Sequence, residues 1–309
     1  MKSSSINFEQ YKVFYHVATN LSFSQAAQRL YLSQSAVSQT IRLLEKQLGV
    51  PLFIRTTKQV RLTQAGQLLF QSIEPAYHLI EMGERNLADL HGLQRGELRL
   101  GASDTTCRYY LLAHLTHYKQ LYPHIKISLV NRPSSVCVNL LKKRLLDIAI
   151  VNISEEFAAA DLICQPLLDI SDILIAGPAY AFLQKKLLSL ADLQHYPLIL
   201  LEQGSTTRRY LDDFFTTQQL AIEPEMELGS LDLCLDLVKK DMGLSFAIKE
   251  FLHLELTNKQ LFEIPLTVTP PPRQLGLVTP AKLALPIAAQ KFCELIKKNH
   301  RNHLQQFKI

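Results

Sequence analysis

The chain has 309 residues, 47% of them hydrophobic, and a formal net charge of +5. That length and apolar content allow two or three domains with real cores, and no window approaches the apolar length of a membrane span. Charge is informative by position: from Met1 to Gly66 there are eight Lys or Arg against two Glu, so the excess positive charge sits in the N-terminal fifth and the remainder is close to neutral.

This is the electrostatic footprint of a nucleic-acid module joined to a neutral partner domain. The start, Met1-Lys2-Ser3-Ser4-Ser5, leads into a helix rather than an apolar secretion signal, so the expected compartment is the cytoplasm, with no membrane partner. Five scattered cysteines, Cys107, Cys137, Cys164, Cys234 and Cys293, lack paired metal spacing and are odd in number. They are expected as free thiols, with neither a zinc site nor a disulfide framework.

Phe8 to Ala18 puts Phe8, Tyr11, Val13, Phe14, Tyr15 and Val17 into an aromatic helix, the floor of a small core. Ser22 with Gln25 three residues later reads as a capping box, after which Phe23, Ala26, Ala27 and Leu30 recur at helical spacing. A short Tyr31-Leu32 turn leads to Ser33, the expected N-cap of a helix through Leu48, closed by Gly49 and Pro51. Val37, Ile41, Leu44 and Leu48 share one stripe of it. The other side carries Ser35, Ser38, Gln39, Arg42 and Lys46, and of these Ser35, Ser38, Gln39 and Arg42 are the expected readers of base edges in a major groove, with Ser33 and Gln34 at the start of the helix as further DNA-binding residues. A solvated amphipathic helix would show the same stripe; the helix-turn-helix order around it favours recognition. Leu52 to Arg55 and Val60 to Leu62 then flank Thr56 to Gln59 as a hairpin. Its Arg55, Lys58 and Arg61 are the expected phosphate contacts of a wing, although a basic hairpin can be plain solubilising surface.

The run Ser22-Phe23-Ser24-Gln25-Ala26-Ala27, Leu30, Ser33 to Ser38, Ile41 to Glu45, Leu48 to Phe53, Arg55, Leu62-Thr63 and Gly66 resembles the N-terminal signature of LysR-type transcriptional regulators across nearly sixty residues. One departure is Gln39, where the family often carries a basic residue, which bears on base preference.

Thr63 reads as the cap of a long helix from Gln64 to about His91. Leu69, Ile73, Ala76, Ile80, Gly83, Leu87 and Leu90 alternate steps of four and three, the seam of a two-helix coiled coil. Burial inside one domain gives the same stripe; the change of charge across this helix favours a self-associating linker. Pro75 removes one donor and is expected to kink it. Such a dimer would set two recognition helices roughly 34 Å apart on a partly palindromic site.

Gly92 to Gly96 reads as a hinge. Strands at Glu97–Ala102, Lys126–Val130 and Asp147–Val151 alternate with helices near Ser103–Tyr122 and Ser134–Arg144, an α/β pattern with a largely parallel sheet. A second set has strands at Ile173–Ala176, Leu198–Leu201, Met226–Leu228 and Leu244–Ala247, and helices near Thr206–Gln219 and Leu231–Lys240. A last strand, Leu275–Val278, and a helix from Pro286 to Asn299 follow Pro270-Pro271-Pro272. The order resembles the effector-binding part of the same family, whose two lobes look like a periplasmic binding protein joined by two crossovers, here expected at Cys164–Leu167 and the triple proline. The expected domains are therefore a winged helix-turn-helix at 1–63, a linker and dimerisation helix at 64–91, and a two-lobed α/β effector domain at 92–309, with lobe I about 95–164 and 271–300 and lobe II about 165–270.

Ligands of such sheets sit beyond the carboxyl ends of the strands, where helix N-termini expose amides. Three turns qualify: Ser103 with Thr105 and Thr106, Asn131 with Ser134 and Ser135, and Gln203 with Ser205 and Thr206. Ser and Thr also cap helices everywhere, so it is their convergence from two lobes that points to a small anion. Asp104 is expected to face away from it, and Arg208 and Arg209 stay open between a carboxylate partner and the surface. The resemblance adds that effector contacts fall on the turns matching Ser103 and Ser205-Thr206.

No phosphate-binding glycine loop, nucleophile elbow or zinc-binding histidine pair supports an enzyme. An architectural DNA-binding protein would not need a long two-lobed segment. The expectation is a regulator of LysR type with no cofactor. Its partners are promoter DNA, a small anionic metabolite and itself, with a tetramer implied by the resemblance, and RNA polymerase is a further candidate.

Overall fold

The structure is a computed structural model and describes residues 7–56, 59–89, 96–154, 157, 161–281 and 284–306. The chain divides into two compact units, Met1–Leu87 and Ala88–Ile309.

Three short helices open the first unit, each started by a side-chain cap. Asn7 accepts from Glu9 N ahead of α1 (Phe8–Asn20), Ser22 from Gln25 N ahead of α2 (Phe23–Leu30), and Ser33 from Ala36 N ahead of α3 (Gln34–Leu48). Gly49, at φ 75°, ends α3 in the left-handed region that its missing Cβ permits. Val13, Phe14 and Val17 of α1, Phe23, Ala26 and Ala27 of α2, and Val37, Ile41 and Leu44 of α3 meet in one core with Leu52 and Phe53. Each large side chain buried there stabilises the fold by about 1.5–3 kcal/mol. Two members of the sequence-based stripes stay outside: Phe8, at the first helical position, is 66% exposed, and Leu48, in the last turn of α3, is 39% exposed.

Strands β1 (Phe53–Arg55) and β2 (Val60–Leu62) form the hairpin, with Phe53 opposite Leu62 and Arg55 opposite Val60. Glu45 ties it to α3, accepting from Leu52 N at 2.8 Å and Phe53 N at 3.2 Å. Helix α4 (Gln64–Asp89) starts where the Thr63 hydroxyl accepts from Gly66 N and donates to Pro51 O, and it runs on through Pro75. A Cβ at Gly66 would collide with the Leu52 carbonyl, so only glycine lets α4 leave the hairpin this closely.

Ala65, Leu69, Phe70 and Ile73 pack on the same core. The first half of the expected coiled-coil seam is thus used inside the unit, whereas Ile80 and Leu87 remain 47% and 64% exposed. Leu90 lies outside the described residues. Tyr15 stacks on Tyr77 with ring centroids 4.1 Å apart, and its hydroxyl meets His78 Nε2, fastening α1 to α4.

The second unit opens with β3 (Gly96–Ala102), followed by α5 (Asp104–Thr106), a π turn at Cys107–Leu111 and α6 (Leu112–Leu121). Then come β4 (Ile125–Asn131), α7 (Ser134–Lys142), β5 (Ile148–Asn152) and β6 (Leu162–Ile170). The first sheet has the order β4-β3-β5-β12-β6, where β12 is Arg273–Pro280. Strands β4, β3 and β5 are parallel, but β12 is antiparallel to both β5 and β6, so the sheet is mixed rather than largely parallel. Leu98, Leu100, Ile148, Leu275 and Leu277 pack under α11 (Ile287–Gln306) through Ala288, Phe292 and Ile296.

Strand β6 corrects the expectation of a crossover at Cys164–Leu167. It is a nine-residue edge strand paired with β12 from Ile170 opposite Arg273 to Leu162 opposite Pro280. Pro166 and Asp169 hide it in the sequence, and an edge position tolerates the missing donor. The chain therefore leaves the first sheet at Ser171, and the triple proline brings it back.

The second lobe is built on β7 (Asp172–Ala176), β8 (Ile199–Leu201), β9 (Met226–Leu228), β10 (Ser245–Ile248) and β11 (Phe262–Ile264), with α8 (Thr206–Thr217), α9 (Leu231–Lys239) and the short α10 (His253–Thr257). Strands β10 and β11 flank β7 antiparallel, β8 and β9 pair in parallel, and a Leu198–Leu244 bridge joins the two groups. Where the two crossings meet, Arg273 Nε donates to Asp172 Oδ2 at 2.8 Å. The Asp172 side chain is 0% exposed and that of Arg273 8%. Burial pushes the Asp172 carboxyl up, against the downward pull of Arg273. Tyr210 of α8 lies over that guanidinium at 4.2 Å and donates to the Pro271 carbonyl. No described helix is long and apolar enough to cross a membrane.

Candidate nucleic-acid interface and ligand cavity

Burial of Val37, Ile41 and Leu44 fixes the roll of α3 about its axis and so decides which side chains face out. Ser33, Gln34, Ser35, Gln39 and Arg42 are exposed and Ser38 is half-buried. Arg42 makes no ion pair with a described residue, which leaves its guanidinium available. The hairpin arginines differ. Arg61 is exposed with its Nε donating to Gln59 Oε1 at 2.7 Å. Arg55 is braced internally, 3.8 Å from Glu45 and stacked over Phe23 at 4.2 Å, so it holds the hairpin on α3 and has less reach than a free wing cation. Lys58 lies outside the described residues.

In the second unit, a cavity of about 610 Å³ opens at the carboxyl ends of β3, β4, β5, β8 and β9. From the first lobe, Ser103, Asp104, Thr105, Asn131, Arg132, Ser134 and Asn152 line it. From the second come Glu202, Gly204, Ser205, Thr206, Thr207, Gly229 and Leu231. Ser103 caps α5, accepting from Thr106 N at 3.3 Å, and Ser205 caps α8, accepting from Arg208 N at 2.9 Å. The Thr206 hydroxyl is buried with no hydrogen-bond partner, a polar atom left for a solute or water to satisfy.

Six of the nine residues expected from the sequence line this cavity: Ser103, Thr105, Asn131, Ser134, Ser205 and Thr206. The other three do not. Thr106 is buried and turned onto the Ser103 hydroxyl at 2.9 Å, Ser135 meets Arg209 Nη2 at 3.3 Å, and Gln203 is exposed away from the lining. Asp104, expected to face away, lines the cavity; the Asn131 amide donates to its carboxylate at 2.8 Å. Arg208 is 4% exposed and bound to Asp212, Glu227 and the Leu201 carbonyl, which makes it a structural brace. Asn152, Glu202 and Gly229 were missed by sequence reasoning, and Arg132 lay inside the expected turn Asn131 to Ser135 without being singled out. Asn152 closes a strand, so the strand-end rule applied to every strand would have found it.

The lobes also touch beside the cavity. The π turn carries Arg108 and Tyr109 toward α9, where the Tyr109 hydroxyl donates to Asp232 Oδ1 at 2.7 Å and Arg108 Nε lies 3.0 Å from the same oxygen. The Tyr109 ring stacks on Phe251 with centroids 5.4 Å apart, and burial pushes its phenol far up in pKa.

Comparison with known proteins assigns both parts of the chain to one family. Residues 8–67 match the bacterial regulatory helix-turn-helix of the lysR family, and residues 91–301 match the LysR substrate binding domain. The transcriptional activator CmpR of Synechocystis sp. is 30% identical over 296 residues, covering 96% of each chain. The solved structure of CbnR complexed with its target DNA has a TM-score of 0.63 at 18% identity, covering 95% of this chain and 99% of that one. The regulatory domain of Synechocystis CcmR in complex with 2-PG has a TM-score of 0.59 at 25% identity, covering 67% of this chain and 99% of that one. A helix-turn-helix with its polar face outward, a two-lobed unit with a cavity at its strand ends, and full-length likeness to such a regulator lead to one conclusion: this chain belongs to the LysR family of DNA-binding transcriptional regulators, whose action is modulated by a small metabolite.

Proposed function

We propose that α3 reads base edges through Ser35, Ser38, Gln39 and Arg42 with Ser33 and Gln34 as further DNA contacts at its start, that Lys58 and Arg61 contact phosphates with Arg55 in a lesser part, and that a small anionic metabolite in the cavity switches the regulator. The observation that carries the switch is the cavity's lining: hydroxyls and amides from the ends of five strands, drawn from both lobes. A solute touching both lobes favours the arrangement it bridges, by the difference of its affinities for the two arrangements. The metabolite is held by Ser103, Thr105, Asn131, Ser134, Ser205 and Thr206, with Arg132 supplying positive charge. The CcmR complex makes 2-PG the first compound to try.

The regulator works as a homo-oligomer in the cytoplasm. Exposed Ile80 and Leu87 support pairing through the later turns of α4, and a dimer of dimers on promoter DNA is in position to meet RNA polymerase. The test is a thermal-shift titration of the full chain with 2-PG and a panel of small organic anions, paired with gel retardation of duplex DNA. A ligand found for the wild type should lose its shift in the Ser103→Ala/Thr206→Ala double variant while DNA retardation persists. An undiminished shift in that variant would sink the site assignment.

A further inference from the structure

Tyr31 occupies the turn between α2 and α3 under two separate disadvantages. It is the C-cap of α2 at φ 55° and ψ 37°, where its amide donates to the Ala27 and Gln28 carbonyls. Glycine or asparagine adopts that left-handed conformation readily, and a bulky aromatic there is an outlier. Its side chain is also 96% exposed, the most of any large apolar side chain described. The ring joins none of the aromatic pairs that fasten α1 to α4, and its hydroxyl has no partner among the described residues. The two amide hydrogen bonds hold the turn, but nothing within the described residues uses the ring or its hydroxyl, and an exposed aromatic at such a cap is a position kept for something outside the chain.

Its place says what that is. Tyr31 lies two residues before Ser33, the cap of α3, whose hydroxyl is 2.9 Å from that of Ser35 at the exposed start of the helix. Two residues before Tyr31, Arg29 stands in the last turn of α2, exposed and without an ion-pair partner among the described residues. At the other end of α3 the hairpin supplies Arg61. A helix laid in a groove has a sugar-phosphate strand along each side, and tyrosine hydroxyls, like arginines, are regular donors to phosphate oxygens. A phenol on a short stiff side chain suits a fixed acceptor better than a mobile one.

We infer that Tyr31 is a DNA-backbone contact: its hydroxyl donates to a phosphate oxygen at the N-terminal end of α3, with Arg29 on the neighbouring phosphate. This rests on the reading of α3 as the groove helix. The turn then sets register from one end of the helix as the wing does from the other.

The full chain, its Tyr31→Phe, Tyr31→Gly, Arg29→Ala and Arg42→Ala variants, and the tightest duplex selected by the wild type from a random pool make the test. Affinity is read across a salt series. Tyr31→Phe removes one oxygen from a solvated side chain and leaves folding alone; it should bind about tenfold more weakly, since hydrogen bonds to charged groups are the stronger kind. The salt slope should not change, because a neutral donor releases no counterion. Arg29→Ala should weaken binding and also reduce the slope by about 1. Tyr31→Gly should bind more weakly while unfolding at a higher temperature, a pairing that a structural role could not produce. Wild-type affinity in Tyr31→Phe overturns the contact. If Arg42→Ala also binds the selected duplex like the wild type, the α3 interface falls, and Tyr31 with it.

Discussion

The two units carry their sites in opposite ways. In the first, every proposed base-reading side chain belongs to α3 or its cap, and one buried stripe on that helix orients them all. In the second, the cavity is collected from turns between Ser103 and Leu231, each harmless alone, and exists only because two sheets bring strand ends together. A site on one helix depends on that helix's roll; a site between lobes depends on how the lobes are joined. The first should therefore be insensitive to anything except its own core, and the second sensitive to residues far from the ligand.

The largest expected effect follows from the joint. Asp172→Ala leaves Arg273 charged and buried with the Tyr210 ring beside it but without its carboxylate, and should cost about 3–5 kcal/mol in denaturant unfolding of the second unit. Its Arg273 partner already has one buried nitrogen, Nη1, without a hydrogen bond, so no spare contact can take over. Replacing both residues with apolar ones of similar size should recover most of the loss. A double variant as unstable as Asp172→Ala would mean that the crossing needs the charges themselves.

Adjacent residues of α3 sharpen the other half of the contrast. Ile41 is 0% exposed in the core, and Ile41→Ala should destabilise the first unit by about 2–5 kcal/mol and weaken all DNA binding through loss of the fold. Arg42→Ala should leave the unfolding curve in place and cost about 1–3 kcal/mol on the cognate duplex, with much less on random DNA. Equal losses on the two duplexes would remove Arg42 from the base-reading set.

The same contrast explains what could be read beforehand. Helix periodicity, the Ser22 and Ser33 caps and Gly49 are local signals, so the helix-turn-helix and the outward set on α3 were legible from residues alone. Leu69 and Ile73 were legible as a stripe but not in their use, because a seam facing a partner helix and one facing the unit's own core look alike until Phe14 and Phe53 are in place. In the second unit the strand ends at Ser103, Asn131 and Ser205 could be anticipated. Strand β6 could not, since its pairing with β12 joins segments more than a hundred residues apart and Pro166 breaks the local pattern. Asp104 was misjudged for a related reason: electrostatics alone turns a carboxylate away from an anion, whereas the Asn131 amide holds this one in the lining.

The smallest effect concerns the clasp beside the cavity. Asp232 takes both the Tyr109 hydroxyl and the Arg108 guanidinium, but the Arg108 side chain is 61% exposed, so solvent screens that half of the cluster. Asp232→Ala should cost about 1 kcal/mol in unfolding of the second unit, most of it from the Tyr109 hydrogen bond, which is the less exposed. Tyr109→Phe keeps the stack on Phe251 and should cost no more than Asp232→Ala, whereas Tyr109→Ala loses the ring as well and should cost clearly more. If Tyr109→Phe and Tyr109→Ala proved equal, the ring would contribute nothing. The lobes would then be held at this edge by the hydrogen bond alone, and the π turn that delivers Tyr109 to α9 would have no packing role.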